Sequence, residues 1–575
     1  MNADQLLRLY DRVCEAEDAV PRLRRLVLDL AVRGKLVPQD PEDEPAAELL
    51  KRIEKEKARL VKAGEIRKPK SIESPDDAPF NLPANWAWSN IASLGSVSPR
   101  NEAEDDAMAS FVPMTLIPTE IRAANGHEPR HWREIKKGYT HFAEGDVGLA
   151  KITPCFENGK SAVFRGLTGG FGAGTTELHI VRPIFVSPDY ILTYLKSPQF
   201  IENGIPRMTG TAGQKRVPTE YFIGTPFPLP PLAEQHRIVA KVEELMALLD
   251  RIEAARAGRE ETRNRLTAAT LARLTDPKAD APAATRFALD TLAPLTTRPD
   301  QIKTLRQTIL NLAVRGRLVP QDPADEPASE LLKRVSVERA RLEKAGAIRS
   351  TKRAASLEGT KLRFNPPPRW RWTNLECLFA ITGGIQKTPG RMPKANAFPY
   401  LGVGNVYRNR IDLTNLKKFE LQDGEVDKFG LQPFDILVVE GNGSATEIGR
   451  CAMWEGQIEQ CVHQNHLIRC RPIDPNLSRY ALLYLNSPLG MDEMTELAIT
   501  SAGLYNLSVG KISTVPLPLP PLAEQHRIVA KVDALMRLLD DLEAALSASS
   551  TTRARLLDAT LRAALAEPGH TRAAA

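Results

Sequence analysis

The chain carries the same long segment twice. Residues 23–68 and 305–350 are identical at 32 of 46 positions. A shorter stretch, PLPPLAEQHRIVAKV, stands at 228–242 and recurs without a change at 518–532. The distance between copies is far too long for a solenoid repeat. The duplication therefore predicts a protein of two pseudo-equivalent halves.

Two regions that resemble each other little lie between the repeated segments. We call 81–228 the first module and 365–517 the second module; both open on a Trp-x-Trp pair, at Trp86 and Trp370. The order of repeated and divergent parts predicts a helical segment at 1–80, the first module, a central helical region at 229–364 with a linker near 276–300, the second module, and a closing helix at 518–575.

The repeated parts have the pattern of helices. Apolar residues after Pro231 follow heptad spacing, which is typical of a coiled-coil seam. The seam residues are Ile238, Val242, Leu245, Leu249 and Ile252, with the copies Ile528, Val532, Leu535, Leu539 and Leu542. The run 232–274 contains one glycine and no proline. It predicts a helix of roughly 60 Å that pairs antiparallel with its copy.

Glycines and prolines delimit two shorter helices in each copy of the long repeat. The first helix is expected to end at Gly34 or Gly316, and the second to begin near Pro45 or Pro327. The modules instead carry short β-rich runs between Gly-rich turns. The predicted fold class is α+β: two globular α/β-type modules joined by long antiparallel helices, with a pseudo-two-fold internal repeat.

Composition excludes several classes of protein. The 575 residues carry 77 Lys and Arg against 71 Asp and Glu, a formal net charge of +6, which permits a nucleic-acid partner without requiring one. No stretch approaches the roughly 20 apolar residues of a membrane span, so no membrane partner is expected. The six cysteines are dispersed and form no CxxC pair. This usage favours a reducing, cytoplasmic location over a disulfide framework.

The motifs of both modules and of the repeated segment resemble one known family. The stretch PLPPLAEQHRIVAKVEEL, with its copy, looks like the motif that closes a target recognition domain and opens a conserved helix. The modules match the recognition-domain pattern at Phe142–Val147, Ala150–Lys160, Gly172–His179 and Thr209–Val217, and at Pro433–Ser444, Cys461–His466 and Thr500–Ser508. The chain thus resembles the specificity subunit of type I restriction–modification systems over nearly its whole length.

The resemblance implies a DNA reader without chemistry of its own. Each module would read one half of a bipartite, asymmetric site in double-stranded DNA, and the helical bar would set the spacer. The implied partners are two adenine-N6 methyltransferase subunits and, through them, restriction subunits. This chain would bind no cofactor; S-adenosylmethionine would belong to the methyltransferase, and ATP and Mg²⁺ to the restriction subunit.

DNA contacts are expected on the polar loops of both modules, because Lys, Arg, Asn and Gln side chains can bond base edges. The first module offers Lys151, Lys160, Thr175, Thr176, Gln214, Lys215 and Arg216; the second offers Ser444, Thr446, Arg450, Gln464, Asn465, Tyr505 and Asn506. The alternative for each residue is a turn or strand-capping role. Most protein–DNA hydrogen bonds also go to phosphate and sugar, where they specify nothing.

A partner surface is predicted at the start of each long helix. Its residues are Glu234, Gln235, His236 and Arg237, with the copies Glu524, Gln525, His526 and Arg527. Identity between the copies suggests one shared kind of partner. A helix-capping or packing constraint would explain that identity almost as well.

Three motifs resemble a catalytic, a metal-binding and a cofactor-binding sequence. Asn365-Pro-Pro-Pro368 resembles the catalytic motif of amino-methyltransferases, but it lacks the final aromatic residue and its copy at Asn81 lacks the motif, so we reject it. Cys461, His463 and His466 could suggest zinc, yet no second ligand pair stands at zinc-finger spacing, so no metal is expected. The glycines at 170–174 and 402–404 are interpreted as turns and not as cofactor loops.

Two other classes of function stay open at this point. An enzyme that combines recognition with cutting or methylation would need catalytic motifs, and we find none in the sequence. A pseudosymmetric scaffold that binds protein would show no salt-dependent DNA affinity.

Overall fold

The computed structural model describes residues 3–13, 16, 18–67, 79–211, 213–275, 287, 296–349, 362–386, 388–441, 447–498 and 506–565. Its contacts divide the chain into a first unit, Met1–Glu261 with Ser549–Ala575, and a second unit, Thr262–Ala548. Most of the predicted linker near 276–300 lies outside the described residues. Within the described ranges, no helix has the length and apolar character needed to cross a membrane.

Helices occupy the repeated segments, as predicted, and shorter helices lie within the two modules. They are α1 (Ala3–Val13), α2 (Ala19–Val32), α3 (Ala46–Lys62), α4 (Ile91–Leu94), α5 (Trp132–Ile135), α6 (Pro188–Leu195), α7 (Pro198–Gly204), α8 (Thr219–Gly224), α9 (Leu232–Thr275), α10 (Pro299–Val314), α11 (Ala328–Lys344), α12 (Leu375–Leu378), α13 (Glu425–Phe429), α14 (Ser478–Leu485), α15 (Pro488–Ala498), α16 (Val509–Ser513) and α17 (Leu522–Leu565). Both α9 and α17 have 44 residues, close to the predicted long helix.

The glycine after α2 and its copy after α10 end their helices as predicted. Gly34 and Gly316 both have φ of +69°, a left-handed conformation that favours glycine. A β-carbon on Gly34 would overlap Pro83, and one on Gly316 would lie 2.6 Å from Pro367 Cγ. The Asn-Pro-Pro-Pro segment therefore packs against a helix end.

Each module is an α+β domain whose strands were predicted only in part. Strands of the first module and its flanks are β1 (Ala87–Ser89), β2 (Gly95–Val97), β3 (Met108–Val112), β4 (Glu128–His131), β5 (Thr140–Ala143), β6 (Val147–Ala150), β7 (Ser161–Val163), β8 (Phe171–Gly174), β9 (Leu178–Pro183) and β10 (Phe227–Leu229). Those of the second are β11 (Arg371–Asn374), β12 (Phe379–Gly383), β13 (Ala397–Leu401), β14 (Val406–Tyr407), β15 (Arg410–Ile411), β16 (Lys417–Glu420), β17 (Ile436–Val439), β18 (Cys451–Met453), β19 (Val462–His463), β20 (Leu467–Pro472) and β21 (Pro516–Leu519).

The two modules share one sheet topology although their sequences differ. The strand order β2-β9-β6-β7 of the first module is repeated as β12-β20-β17-β18 in the second. A further sheet has the order β4-β3-β8-β5 in the first module and β16-β13-β19 in the second. The predicted α+β fold class and the internal repeat are confirmed.

The first and last strands of each module pair with each other and so form a neck. β1 pairs antiparallel with β10, and β11 pairs antiparallel with β21. Trp88 lies opposite Pro228, and Trp372 lies opposite Pro518. Since β10 and β21 lead directly into α9 and α17, the neck fixes each module against the start of a long helix.

The heptad seam of α9 is buried in the core of its own unit. Ile238, Val242, Leu245 and Leu249 are almost fully buried and share one apolar cluster with α2 and α6. Leu557, near the end of α17, is buried in that same cluster. In the second unit, Leu271 and Leu274 of α9 pack with Leu312 of α10. The antiparallel pairing of α9 with α17 stays a prediction.

The prediction that the glycines at 170–174 form turns is wrong for Gly172 and Gly174. Both lie in strand β8, which pairs with β3. A β-carbon on Gly172 or Gly174 would overlap the carbonyl oxygen of Ser110 or Val112. These glycines allow two backbones to approach each other.

Candidate nucleic-acid interface

Three stretches of the first module that are distant in sequence meet at one end of its sheet. The N–H of Lys151, which follows β6, donates a 2.9 Å hydrogen bond to the carbonyl of Glu177, which precedes β9. The N–H of Val217 donates to the carbonyl of Lys151 at 2.8 Å. Arg216 donates two bonds of 2.8 Å to the Glu177 carboxylate. We call this arrangement the three-loop junction of the first module.

Most of the DNA contacts predicted for this module lie at the junction. Gln214 and Lys215 are exposed beside Arg216, and Thr176 is exposed beside Glu177. Thr175 has an internal role as well, because its hydroxyl accepts the N–H of Glu177 at 3.2 Å. The hydrogen bonds from Arg216 lower the pKa of Glu177, so this carboxylate stays charged. The junction thus presents a mixed, mainly cationic polar surface.

Lys160 lies apart from the junction. Its ammonium donates a 2.9 Å hydrogen bond to the carbonyl of Met114. Nearby, Lys196 donates to the carbonyls of Thr119 and Gly159, each at 2.8 Å, and burial lowers the pKa of Lys196 to about 7. These two lysines hold backbone segments together, and a DNA contact by Lys160 stays a prediction.

A buried histidine, His179, contacts the three-loop junction of the first module. The Nε2 of His179 lies 3.1 Å from the carbonyl oxygen of Val217, and the ring stacks on Phe222 with centroids 5.0 Å apart. Burial lowers the pKa of His179 to about 4, so the ring is neutral near pH 7. His179 therefore holds Val217, next to Arg216, without adding charge.

The second module has a junction at the equivalent place. The N–H of Glu440, which follows β17, donates to the carbonyl of His466 at 3.0 Å. The N–H of Leu507 donates to the carbonyl of Glu440 at 2.7 Å. The side chains of His466 and Glu440 also meet, with Nδ1 and Oε2 2.9 Å apart. These three stretches form the three-loop junction of the second module.

The DNA contacts predicted for the second module have mixed surroundings. Ser444, Thr446 and Tyr505 lie outside the described residues. Arg450 is mostly buried and donates to Val403 and Glu447. Asn465 directly precedes His466, and the exposed Asn506 directly precedes Leu507, so both adjoin the junction, whereas the N–H of Gln464 donates to the carbonyl of Leu401. The structure thus brings two of the seven predicted residues to the junction and gives Arg450 an internal role.

The two junctions have the same backbone hydrogen bonds but different side chains. Lys151 corresponds to Glu440, Glu177 to His466, and Arg216 to Asn506. The sequence patterns did not point to Glu177 or Glu440 as site residues, and they pointed to His466 only as a rejected zinc ligand. The signal available was their position directly beside a β-rich run, since loops at one edge of a sheet converge there.

The predicted partner surface at the start of α9 is largely internal. Glu234 is buried and accepts hydrogen bonds from Trp86 at 2.9 Å and Gln39 at 2.8 Å. Gln235 is buried, donates to Pro230, and accepts the N–H of Ser187. Burial raises the pKa of Glu234. These two residues join module, neck and helix, so the packing explanation fits them.

The remaining residues of the tetrad reach the surface. Arg237 forms a bidentate pair with Asp43, with N–O distances of 3.1 and 2.5 Å, whereas His236 is exposed. The copies behave alike: Glu524 and Gln525 are buried, Arg527 pairs with Asp325, and His526 is exposed. A partner contact stays a prediction for this tetrad, and burial restricts it to the histidines and the exposed parts of the arginines.

Comparison with known proteins shows the family to which this chain is related. The sequence model described as "Type I restriction modification DNA specificity domain" matches residues 381–549. The EcoEI type I restriction enzyme specificity subunit of Escherichia coli is 39% identical over 95% of this chain and 94% of its own length. The EcoAI specificity subunit of the same species is 37% identical over the same shares. The chain belongs to the family of type I restriction enzyme specificity subunits.

Solved structures of specificity subunits are more distant. The HsdS subunit from Thermoanaerobacter tengcongensis aligns with 20% identity and a TM-score of 0.43, over 85% of this chain and 99% of that chain. A chain from a study of complex assembly and conformational transition of the type I R-M system aligns with 20% identity and a TM-score of 0.45. The family assignment therefore rests on the sequence relatives.

As a specificity subunit, the protein is a non-catalytic DNA-recognition component, in agreement with the rejection of the Asn365 motif. The described residues contain no group of three or more His, Cys, Asp or Glu side chains arranged to hold a metal ion. Of the three residues in the rejected zinc motif, Cys461 and His463 are buried in the second module, whereas His466 is exposed. Burial lowers the pKa of His463 to about 3 and raises that of Cys461 to about 12.

Proposed function

We propose that this specificity subunit reads a bipartite, asymmetric site in double-stranded DNA, with one half-site for each module. The observation that carries the proposal is the pair of three-loop junctions. One set of backbone hydrogen bonds holds Lys151, Glu177 and Arg216 in the first module and Glu440, His466 and Asn506 in the second. Equivalent scaffolds with different side chains are suited to reading different base sequences.

The long helices would set the spacer between the half-sites. At about 1.5 Å per residue, a 44-residue helix is roughly 66 Å long, against about 34 Å for one turn of DNA. A rigid element of this length can hold two readers about a turn apart. The identical starts of α9 and α17 would each dock one adenine-N6 methyltransferase subunit, and through these the restriction subunit would join.

The chemistry of the complex would belong to its partners. The methyltransferase subunits would supply S-adenosylmethionine, and the restriction subunit would supply ATP and Mg²⁺. The specificity subunit would contribute no cofactor and would act in the cytoplasm.

Genome-wide adenine methylation tests this proposal directly. Cells that carry this gene with its neighbouring methyltransferase gene are compared with cells that lack only this gene. We expect a bipartite, asymmetric N6-methyladenine motif that disappears on deletion. Unchanged methylation, with the methyltransferase demonstrably expressed, would contradict the proposal and favour the protein-binding scaffold.

Module exchange separates the two half-sites. Replacing residues 81–228 with a recognition domain of different specificity should change one half of the methylated motif and leave the other half and the spacer intact. A change in both halves would contradict independent reading by the two modules.

A further inference from the structure

One pair of equivalent positions in the two modules carries opposite charges on the same backbone. Lys151 and Glu440 each follow the third strand of the equivalent sheets. The N–H of Lys151 donates to the carbonyl of Glu177 at 2.9 Å, and the N–H of Glu440 donates to the carbonyl of His466 at 3.0 Å. The carbonyl of Lys151 accepts the N–H of Val217 at 2.8 Å, and that of Glu440 accepts the N–H of Leu507 at 2.7 Å. Both side chains therefore leave the scaffold from the same place.

The scaffold itself requires neither charge. The sheet and the junction form with an ammonium at this position in one module and with a carboxylate in the other. Ion pairs around a buried carboxylate behave differently: the bidentate pair of Arg182 with Asp146 recurs as Arg471 with Asp435. Neither charge at this position is therefore needed to hold that backbone.

Both side chains retain hydrogen-bonding capacity. Among the described residues, the Lys151 ammonium makes no hydrogen bond, although its charge acts on nearby Glu177. Glu440 uses Oε2 for His466, and its Oε1 makes no hydrogen bond within the described part of the chain. Both residues are half-buried, so neither side chain is enclosed in the core of its module.

The junction also lies away from the long helix. In the first module, Glu177 precedes β9, whereas Ser187, which bonds to Gln235 of α9, follows that strand. Six strand residues at about 3.3 Å each separate the two ends by roughly 20 Å. The junction therefore occupies the end of the module that is free of the neck.

We propose that Lys151 and Glu440 are paired specificity-determining residues, one for each half-site. The inference rests on the proposed function. The Lys151 ammonium donates to the O6 and N7 acceptors of a guanine in one half-site. The Glu440 carboxylate accepts from an exocyclic amino group, of cytosine or adenine, in the other.

The test uses the complete complex in cells, with the methylated motif as the readout. Lys151→Glu is expected to remove the guanine requirement at one position of one half-site and to lower methylation of the original motif about tenfold or more. Glu440→Lys is expected to do the same to the other half-site, at a position that requires cytosine or adenine. Each variant leaves the opposite half-site unchanged.

A charge reversal elsewhere in the same module provides the control. Arg133 is exposed and pairs with Asp106 at the Met108 end of β3, the opposite end from the junction. Arg133→Glu should keep the original motif at the original level. A control that changed the motif as Lys151→Glu does would show that net charge alone is responsible, and would overturn the proposal.

The outcomes also separate this inference from the proposed function. A wild-type chain that produces no bipartite motif contradicts the proposed function. A wild-type motif that survives both charge reversals overturns only the inference. If Lys151→Glu abolishes co-purification of the methyltransferase, Lys151→Gln is tested in its place. Loss of the guanine requirement at one position of the methylated motif supports the proposal, and an unchanged motif overturns it.

Discussion

The indole nitrogen of Trp86 donates a 2.9 Å hydrogen bond to the carboxylate of Glu234, at the point where the first module meets its long helix. Trp370 and Glu524 repeat the contact at 2.9 Å in the second unit. Both glutamates are buried, so each carboxylate depends on its internal donors. This contact joins a module to the repeated helix that follows it.

Removing the indole donor should destabilise the contact between the first module and the start of α9. Trp86→Phe leaves a buried carboxylate with fewer partners, which costs about 1–3 kcal/mol. We expect faster hydrogen exchange in the first unit, measured by mass spectrometry of peptides from α2 and α9, and unchanged exchange in the second module. Trp88→Phe is the control, because Trp88 packs on Phe80. Equal effects of both variants would contradict a special role for the hydrogen bond.

The end of the last helix should stabilise the first unit. Leu557 is fully buried in the core that contains α2, whereas its neighbour Leu556 is 44% exposed. Leu557→Ala should cost about 2–5 kcal/mol and raise hydrogen exchange in α2 and the first module. Leu556→Ala should have little effect. Protection of α2 that is unchanged in Leu557→Ala would exclude this packing.

Acid should loosen the first module through His179. Burial lowers the pKa of this histidine from 6.5 to about 4. A lowered pKa contributes stability that is present above pH 6.5 and is lost as pH falls towards 4, on the order of 3 kcal/mol in full. The free energy of unfolding should fall across this window, and His179→Gln should flatten the slope. His131→Gln, on β4, should retain the pH slope of the free energy of unfolding. If His131→Gln flattened that slope equally, titration of His179 would not be its cause.

The length of the long helices should set the spacer of the DNA site. Seven residues inserted after Gly258 and after the equivalent Ala548 preserve the heptad phase and add about 10 Å to each helix. We expect the methylated motif to keep both half-sites and to gain about 3 base pairs of spacer, at about 3.4 Å per base pair. An unchanged spacer in an assembled, active complex would contradict the role of the helices as a ruler.

The duplicated sequence determined the architecture of the halves, because repeated apolar spacing and helix-ending glycines act locally. The helices at 19–32, 46–62 and 232–275, the modules between them and the α+β class all followed from patterns within a few turns of chain. The family followed from the same repeated motif.

Only the tertiary structure decided what the polar residues do. The sequence predicted that the side chains of Glu234, Gln235 and Arg450 contact a partner or DNA. In the structure they form internal hydrogen bonds with residues distant along the chain. Conversely, Glu177, Glu440 and His466 became site candidates because strand pairing brings three separate loops together. Local patterns predict helices and cores, since apolar periodicity is a property of neighbouring residues. The correspondence of Lys151 with Glu440 depends on backbone hydrogen bonds across a sheet, which no local pattern records.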